Sequence, residues 1–368
     1  MMQVGKPVTG EEFIGREAEI EMMIEYISMG QNMVLIAPRR FGKTSLVQEV
    51  LNRVKQKKNY KAFVDVFNHA TLDSLSESIT AEVLHNHGLR DTFRKVKDSA
   101  VDMFKHVKLK SVIEDFEFVL SFSDKTVPPL DRFSMSLDFI NDFSAKHKKK
   151  MAFAFDEFGD IVKYDKTKEL TKMVRAKLQQ QESAVYIFSG SYESVMQSMF
   201  VDSKSPFYRM ARIIDLGYLD FNALEKHFIT QFKKNKLTNK NNLIEDTLDL
   251  FKGHPYYAQL ALQQIYLFQR LNKEVPNLEE LIEEMLASDH GYLERLWEDL
   301  SSSKENVYVL KHLTLQADGV YSMAKDHQIN ASRTLKHLNG LGIIYKEDGG
   351  YYFYDPLFEI WIARNISS

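Results

Sequence analysis

The stretch Ala37-Pro38-Arg39-Arg40-Phe41-Gly42-Lys43-Thr44 has the residue types and spacing for phosphate chemistry. It follows the pattern G-x-x-x-x-G-K-[ST] everywhere except its first glycine, where Ala37 stands. In such a loop the backbone N–H groups and the positive end of the following helix face a β-phosphate. Lys43 would neutralise the β and γ oxygens, and the Thr44 hydroxyl would ligate Mg²⁺. Pro38, Arg39, Arg40, Phe41, Gly42 and Ser45 complete the expected binding loop, with ATP and Mg²⁺ as the expected cofactors. Ala37 must adopt a backbone angle that a Cβ tolerates.

A second constellation is Asp156-Glu157, at the end of the apolar run Met151-Ala152-Phe153-Ala154-Phe155. An unpaired carboxylate there is costly to desolvate, so the pair calls for a cation. Asp156 can join the Mg²⁺ shell, and Glu157 can orient or deprotonate an attacking water. Ser189-Gly190-Ser191 closes another apolar run. It is either a polar group beside the same site, because parallel sheets bind ligands at the carboxyl ends of their strands, or a turn of small residues.

Positioning these groups requires strands that alternate with helices, and the sequence has that grammar. Met33–Ala37, Ala62–Phe67, Met151–Phe155, Ala184–Phe188 and a shorter Arg212–Leu216 read as strands. A helical stretch follows the phosphate-binding pattern, and residues 71–148, broken at Thr126-Val127-Pro128-Pro129, read as helices packed around a sheet. From about Asn222 to Leu296 the spacing is helical only, as in a lid. The final segment reads as three helices and a hairpin turning at Lys346-Glu347-Asp348-Gly349-Gly350, which composes a winged helix-turn-helix. The expected domains are a core over 1–218, a lid over 219–296 and a winged-helix domain over 297–368. Lys146–Lys150 and Lys233–Lys236 read as solvated helix ends, with a contact surface as the alternative.

Composition bounds the function. The chain has 368 residues, 44% hydrophobic and 27% charged, which suits about two to three globular domains and excludes a disordered chain. Zero cysteines remove disulfides, thiolate metal sites and cysteine nucleophiles, and favour a cytoplasmic address. No apolar run approaches the roughly 18 residues that would span a bilayer, and the first residues lack a leader pattern. A formal net charge of -3 restricts any nucleic-acid contact to a local patch.

Six segments together resemble a known family. Phe13-Ile14-Gly15-Arg16-Glu17, the loop at 37–44, Phe155-Asp156-Glu157-Phe158, Ser205-Pro206-Phe207-Tyr208-Arg209, Gly253-His254-Pro255-Tyr256-Tyr257 and Asp355-Pro356-Leu357-Phe358 occur in the order found in the archaeal-type P-loop ATPases. These are relatives of the signal-transduction and origin-recognition AAA+ ATPases, and the resemblance covers nearly the whole chain. It implies an α/β fold: a P-loop NTPase (AAA+-like) parallel sheet with a helical lid and a C-terminal winged helix-turn-helix domain.

The resemblance also implies roles. Phe13, Ile14 and Gly15 would lie against adenine with Arg16 near the ribose or phosphates, or else form an amino-terminal cap. Ser189 and Ser191 fall at the sensor-1 position, where many AAA+ relatives carry Asn. His254 and Pro255 fall where the lid meets nucleotide, and His254 is either a phosphate donor or a structural residue. Arg209 and Arg212 fall near the arginine-finger position; either could instead pair with Asp202 or Asp215. Lys43, Glu157 and Arg209 are thus the expected catalytic residues.

In the winged helix, Ser332, Arg333, Lys336 and His337 would face a groove or a partner. From Leu296 onward, however, acids outnumber bases, and a wing tip carrying Glu347 and Asp348 would repel phosphates. The expectation is a slow Mg²⁺-dependent ATPase, a nucleotide-controlled switch with ATP and ADP as ligands, able to form a homo-oligomer. Its partner through Arg333, Lys336 and His337 would be DNA. The alternative is an interaction protein whose nucleotide is structural and whose winged helix docks protein or covers the core.

Overall fold

The computed structural model describes residues 4–55, 57–87, 126–165, 169–191, 195–315 and 319–366. The described chain divides into two units: Met1–Arg16, Ala37–Gly42 and Leu216–Ser368 form one, and Glu17–Ile36 with Lys43–Asp215 form the other.

The second unit is built on a sheet. Met33–Ala37 (β1) is buried at every residue, which suits an all-apolar run covered on both faces. The other strands are Asn59–Asp65 (β2), Lys150–Asp156 (β3), Ala184–Ser191 (β4) and Arg212–Asp215 (β5), in the spatial order β2-β3-β4-β1-β5. The pairings β2–β3, β3–β4 and β1–β5 are parallel. Asn32 ties the starts together: its side-chain carbonyl accepts from the Tyr186 amide at 2.9 Å and its backbone carbonyl from the Arg212 amide at 2.8 Å. The helices Glu17–Met29 (α1), Lys43–Arg53 (α2), Leu72–His85 (α3), Pro129–Lys146 (α4), Glu169–Gln179 (α5) and Val195–Phe200 (α6) accompany it. One cluster of buried side chains runs from Val34 through Phe153, Phe155 and Phe188 to Phe207.

Two strands, β2 and β4, depart from their expected bounds by more than one residue. β2 stops at Asp65 instead of reaching Phe67, because the Asp65 carboxylate accepts the Phe67 amide at 3.0 Å and turns the chain into a short 3₁₀ helix over Val66–Asn68. Phe67 is left exposed. β4 continues through Ser189-Gly190-Ser191, so that segment is strand and not a turn. A Cβ at Gly190 would meet the Met196 side chain at 2.6 Å. The helices expected between 88 and 125 lie outside the described residues.

The first unit is helical: Phe221–Asn235 (α7), Leu243–Phe251 (α8), Pro255–Asn272 (α9), Leu278–Ser301 (α10), Lys304–Thr314 (α11), Val320–Asp326 (α12), Ala331–Gly340 (α13) and Pro356–Asn365 (α14). Between the last two, Ile344–Glu347 (β6) and Gly350–Phe353 (β7) pair antiparallel, Ile344 opposite Phe353. Asp348 and Gly349 turn the hairpin with φ of 46° and 85°, the double positive φ of a type I′ turn. A single buried cluster extends from Leu224 on α7 to Ile362 on α14, and α10 runs unbroken past residue 296. Lys146 and Lys233-Lys234 sit in the last turns of α4 and α7, where cations complement the helix dipole. Among the described residues, no helix is long and apolar enough to cross a membrane.

Candidate nucleotide site

In the sheet unit, α2 opens at Lys43, so Lys43, Thr44 and Ser45 occupy its first turn, where backbone N–H groups lack intrahelical partners. Lys43 is 6% and Ser45 9% exposed. Asp156 closes β3 and is buried, but not unpartnered. The Thr44 hydroxyl donates to its Oδ2 at 2.6 Å and the Ser189 hydroxyl to its Oδ1 at 2.5 Å. Three segments far apart in sequence thus meet at one carboxylate, at the carboxyl ends of β3 and β4. Glu157 follows with φ 45°, a left-handed conformation uncommon for a side chain of its type and typical of residues constrained at sites.

Asp65, at the end of β2 and in register with Asp156, places a third acid beside Asp156 and Glu157 and is a further candidate. Burial raises its carboxyl above the ordinary range, and the negative fields of Asp156, Glu157 and Asp160 add to this. With the strand read through to Phe67, Asp65 fell in its interior, and only the turn at Val66–Asn68 makes it a strand-end acid like Asp156. Among the described residues no group of three or more His, Asp or Glu side chains is placed to cage a metal.

The loop before α2 belongs to the other unit. Ala37 ends β1 in extended conformation, so its Cβ is accommodated. Positive φ appears instead at Arg40 (68°) and Gly42 (82°). A Cβ at Gly42 would meet nothing within 4 Å, so glycine is favoured there by backbone angle and not by space. Pro38 is buried, Arg39 is exposed, and Phe41 is 2% exposed, its ring 4.7 Å from that of His254 and 5.3 Å from that of Tyr218.

Arg40 is held by its own unit. Its guanidinium pairs with Asp289 at 3.1 Å and lies 4.1 Å from the Tyr256 ring centroid and 3.9 Å from that of Tyr292.

His254 caps the start of α9 and Pro255 is its first residue. The imidazole is 2% exposed, and burial, helped by the Arg40 charge, pulls it down to about 3, so it is neutral near pH 7. Its Nδ1 has no hydrogen-bond partner. Gly253 approaches the chain at Leu219 closely: the Leu219 amide donates to the Gly253 carbonyl at 2.9 Å. At the amino terminus, Phe13 is half-buried, Ile14 joins the helical core, Gly15 has φ 65°, and Arg16 donates to the Gly217 carbonyl at 2.5 Å.

Arg209 is exposed and lies over its neighbour Tyr208, 5.2 Å from the ring centroid. Among the described residues neither it nor Arg212 pairs with Asp202 or Asp215. On α13, Ser332, Arg333, Lys336 and His337 are exposed while Ala331, Thr334, Leu335 and Leu338 are buried.

The family of ATPase domains found predominantly in Archaea matches residues 13–261 of this chain. The chain belongs to that family. No curated protein matches it. Among solved structures, the Walker-type ATPase of Pyrococcus abyssi is 18% identical with a TM-score of 0.73, covering 98% of this chain and 99% of its own. The Aeropyrum pernix ORC2 protein in its ADPNP–ADP complexes is 12% identical with a TM-score of 0.53, covering 98% of each chain. At these identities the likeness is one of fold, that of the α/β P-loop ATPases. The archaeal ATPase family is a nucleotide-binding one, and Lys43, Thr44, Asp156 and Ser189 lie within the matched span.

Proposed function

We propose that this archaeal-type ATPase is an ATP-hydrolysing switch whose nucleotide state is relayed to a C-terminal winged-helix module. The observation that carries the reading is the Thr44–Asp156 contact, which brings the loop threonine and the strand-end acid to one point. Two oxygen donors, the Thr44 hydroxyl and the Asp156 carboxylate, fit Mg²⁺, which keeps waters and takes its other ligands from substrate phosphates. Bound with ATP, the ion would supply charge neutralisation at the phosphate oxygens. In this reading Lys43 neutralises the β and γ oxygens, and Glu157 takes the proton of the attacking water. Ser189 holds Asp156 in place, while Phe13, Ile14 and Gly15 flank the adenine.

The test separates binding from turnover. Glu157→Gln keeps size and removes basicity, so ATP should still bind while steady-state phosphate release falls at least about tenfold, the low side of a general base's contribution. Lys43→Ala should abolish tight binding in titration calorimetry. Equal release rates in Glu157→Gln place the base elsewhere, and unchanged affinity in Lys43→Ala removes the loop from the site.

Arg209, exposed and without an acidic partner among the described residues, suits a finger acting across a subunit boundary in a homo-oligomer. Turnover per chain that stays flat as protein concentration rises would remove that role. The helices α11 to α13 with the β6–β7 hairpin are read as the winged helix, with residues 1–218 as core and 219–296 as lid. DNA is the partner assigned to Arg333, Lys336 and His337. A second reading, in which the module docks a protein, is favoured by Glu347 and Asp348, both exposed at the wing tip.

A further inference from the structure

Arg40 lies in the middle of the phosphate-loop motif, where a cation would ordinarily be assigned to phosphate. Its charge is already engaged. Two tyrosine rings, Tyr256 and Tyr292, flank the guanidinium at 4.1 and 3.9 Å, and its Nη1 donates to Asp289 at 3.1 Å and to the Tyr257 hydroxyl at 3.4 Å. The clamp is cross-braced, because the Tyr256 hydroxyl donates to the same Asp289 at 3.2 Å. The Asp289 side chain is 10% and the Arg40 side chain 26% exposed, so water screens the pair only in part. A planar cation between two rings with a carboxylate at its edge is a geometry that lysine cannot reproduce.

The contacts continue away from the loop. The Tyr257 hydroxyl donates to Asp355 Oδ2 at 2.6 Å, while Asp355 Oδ1 accepts the Phe358 amide at 2.9 Å and so caps α14. Arg40 therefore touches the start of α9 and the middle of α10, and through Tyr257 it is linked to the cap of the last helix. Tyr256, Tyr257 and Asp355 had no chemical role of their own in the sequence, and the clamp supplies one for each.

We infer that Arg40 is a positioning residue rather than a phosphate ligand. The Tyr256–Asp289–Tyr292 clamp fixes the loop in its binding shape, and the Tyr257–Asp355 bond makes that shape depend on the start of α14. The inference rests on the nucleotide-binding reading of the loop. It gives that reading a route by which the C-terminal segment sets nucleotide affinity.

The sign of one substitution separates positioning from direct phosphate binding. If the clamp positions the loop, Asp289→Ala should weaken ATP binding to the full chain about tenfold in titration calorimetry, a common scale for coupled side chains. Arg40→Ala should do the same, the double variant should be no weaker than either single variant, and Arg40→Lys should fail to restore affinity. If Arg40 were a phosphate ligand, Asp289→Ala would free its charge and tighten binding, and Arg40→Lys would restore part of the loss. Either result overturns the inference.

Tyr257→Phe keeps the ring and removes only the hydroxyl, so it tests the link to α14 with little risk to folding. It should weaken ATP binding about threefold and speed hydrogen exchange at the Phe41 and Gly42 amides. Unchanged exchange and affinity remove α14 from the proposal. A wild-type chain that binds no ATP would defeat the nucleotide reading itself. Exchange measured without nucleotide would still decide the clamp, because Asp289→Ala must then speed exchange at Phe41 and Gly42, and unchanged rates overturn it.

Discussion

The Thr44 hydroxyl and the Asp156 carboxylate, 112 positions apart in sequence, meet at 2.6 Å, and Ser189 holds the other oxygen of the same carboxylate. A buried acid with two hydroxyl donors is oriented before any ligand arrives. Thr44→Ala and Asp156→Asn should each raise the Mg²⁺ concentration needed for half-maximal ATP binding by about tenfold. The double variant should cost little more, since the two act as a unit. Additive losses in a Mg²⁺ titration would mean that the two residues serve different ligands.

Gly253 is placed where no other residue fits. Its φ is 79°, and a Cβ there would stand 2.5 Å from the Leu219 carbonyl oxygen, a backbone atom that cannot swing away. Gly253→Ala should destabilise the chain by about 2 kcal/mol or more, combining left-handed strain with the clash. It should also shift the Phe41–His254 ring contact. A melting temperature equal to that of the wild type would show that the segment relaxes freely.

His254 predicts an acid-sensitive stability. An exposed histidine in the unfolded chain titrates near 6.5, whereas the folded imidazole is pulled down to about 3. Between those values the unfolded state binds the extra proton, so stability falls as pH drops below about 6.5 and continues to fall towards 3. Between pH 7 and pH 5 the loss from this one group should be about 2 kcal/mol. His254→Phe should lack it, because phenylalanine takes up no proton, and the change costs no hydrogen bond at Nδ1. Denaturant unfolding of both proteins at the two pH values isolates the histidine, since other titrating groups cancel in the difference; identical losses would contradict it.

The exposed row Arg333, Lys336 and His337 on α13 should give only weak, salt-sensitive binding to mixed-sequence duplex DNA, with a shallow slope set by few phosphate contacts. Arg333→Glu/Lys336→Glu should abolish it, and affinity should differ between ATP and ADP if the nucleotide state reaches this module. Fluorescence anisotropy at two salt concentrations reads all three. No binding at low salt in either nucleotide state assigns the module to a protein partner.

The sequence alone determined the local grammar. Met33–Ala37 is uniformly apolar and is followed by Gly42-Lys43-Thr44, so a buried strand, a loop and a helix start were legible there, and the acids after Phe155 marked the end of β3. A hairpin turning within residues 346–350 was legible from its glycines, and the structure narrows the turn to Asp348 and Gly349, both at positive φ. Short-range chemistry also misled: Phe67 is apolar enough to extend β2, yet the Asp65 side chain turns the chain before it.

Only the tertiary structure decided which partners those groups meet. Asp289 lies in the polar stretch Ala287-Ser288-Asp289-His290, where neither spacing nor composition sets it apart from its neighbours, and it becomes the counter-ion of Arg40 only once α10 is placed. Ser189 looks like part of a turn until β4 extends through it and presents its hydroxyl to Asp156. Whether Arg40 serves a phosphate or a clamp depends on contacts between residues more than 200 positions apart. Local periodicity records which face of an element is buried, but it carries no information about which distant side chain will neutralise a charge, because that pairing is fixed only when the elements pack.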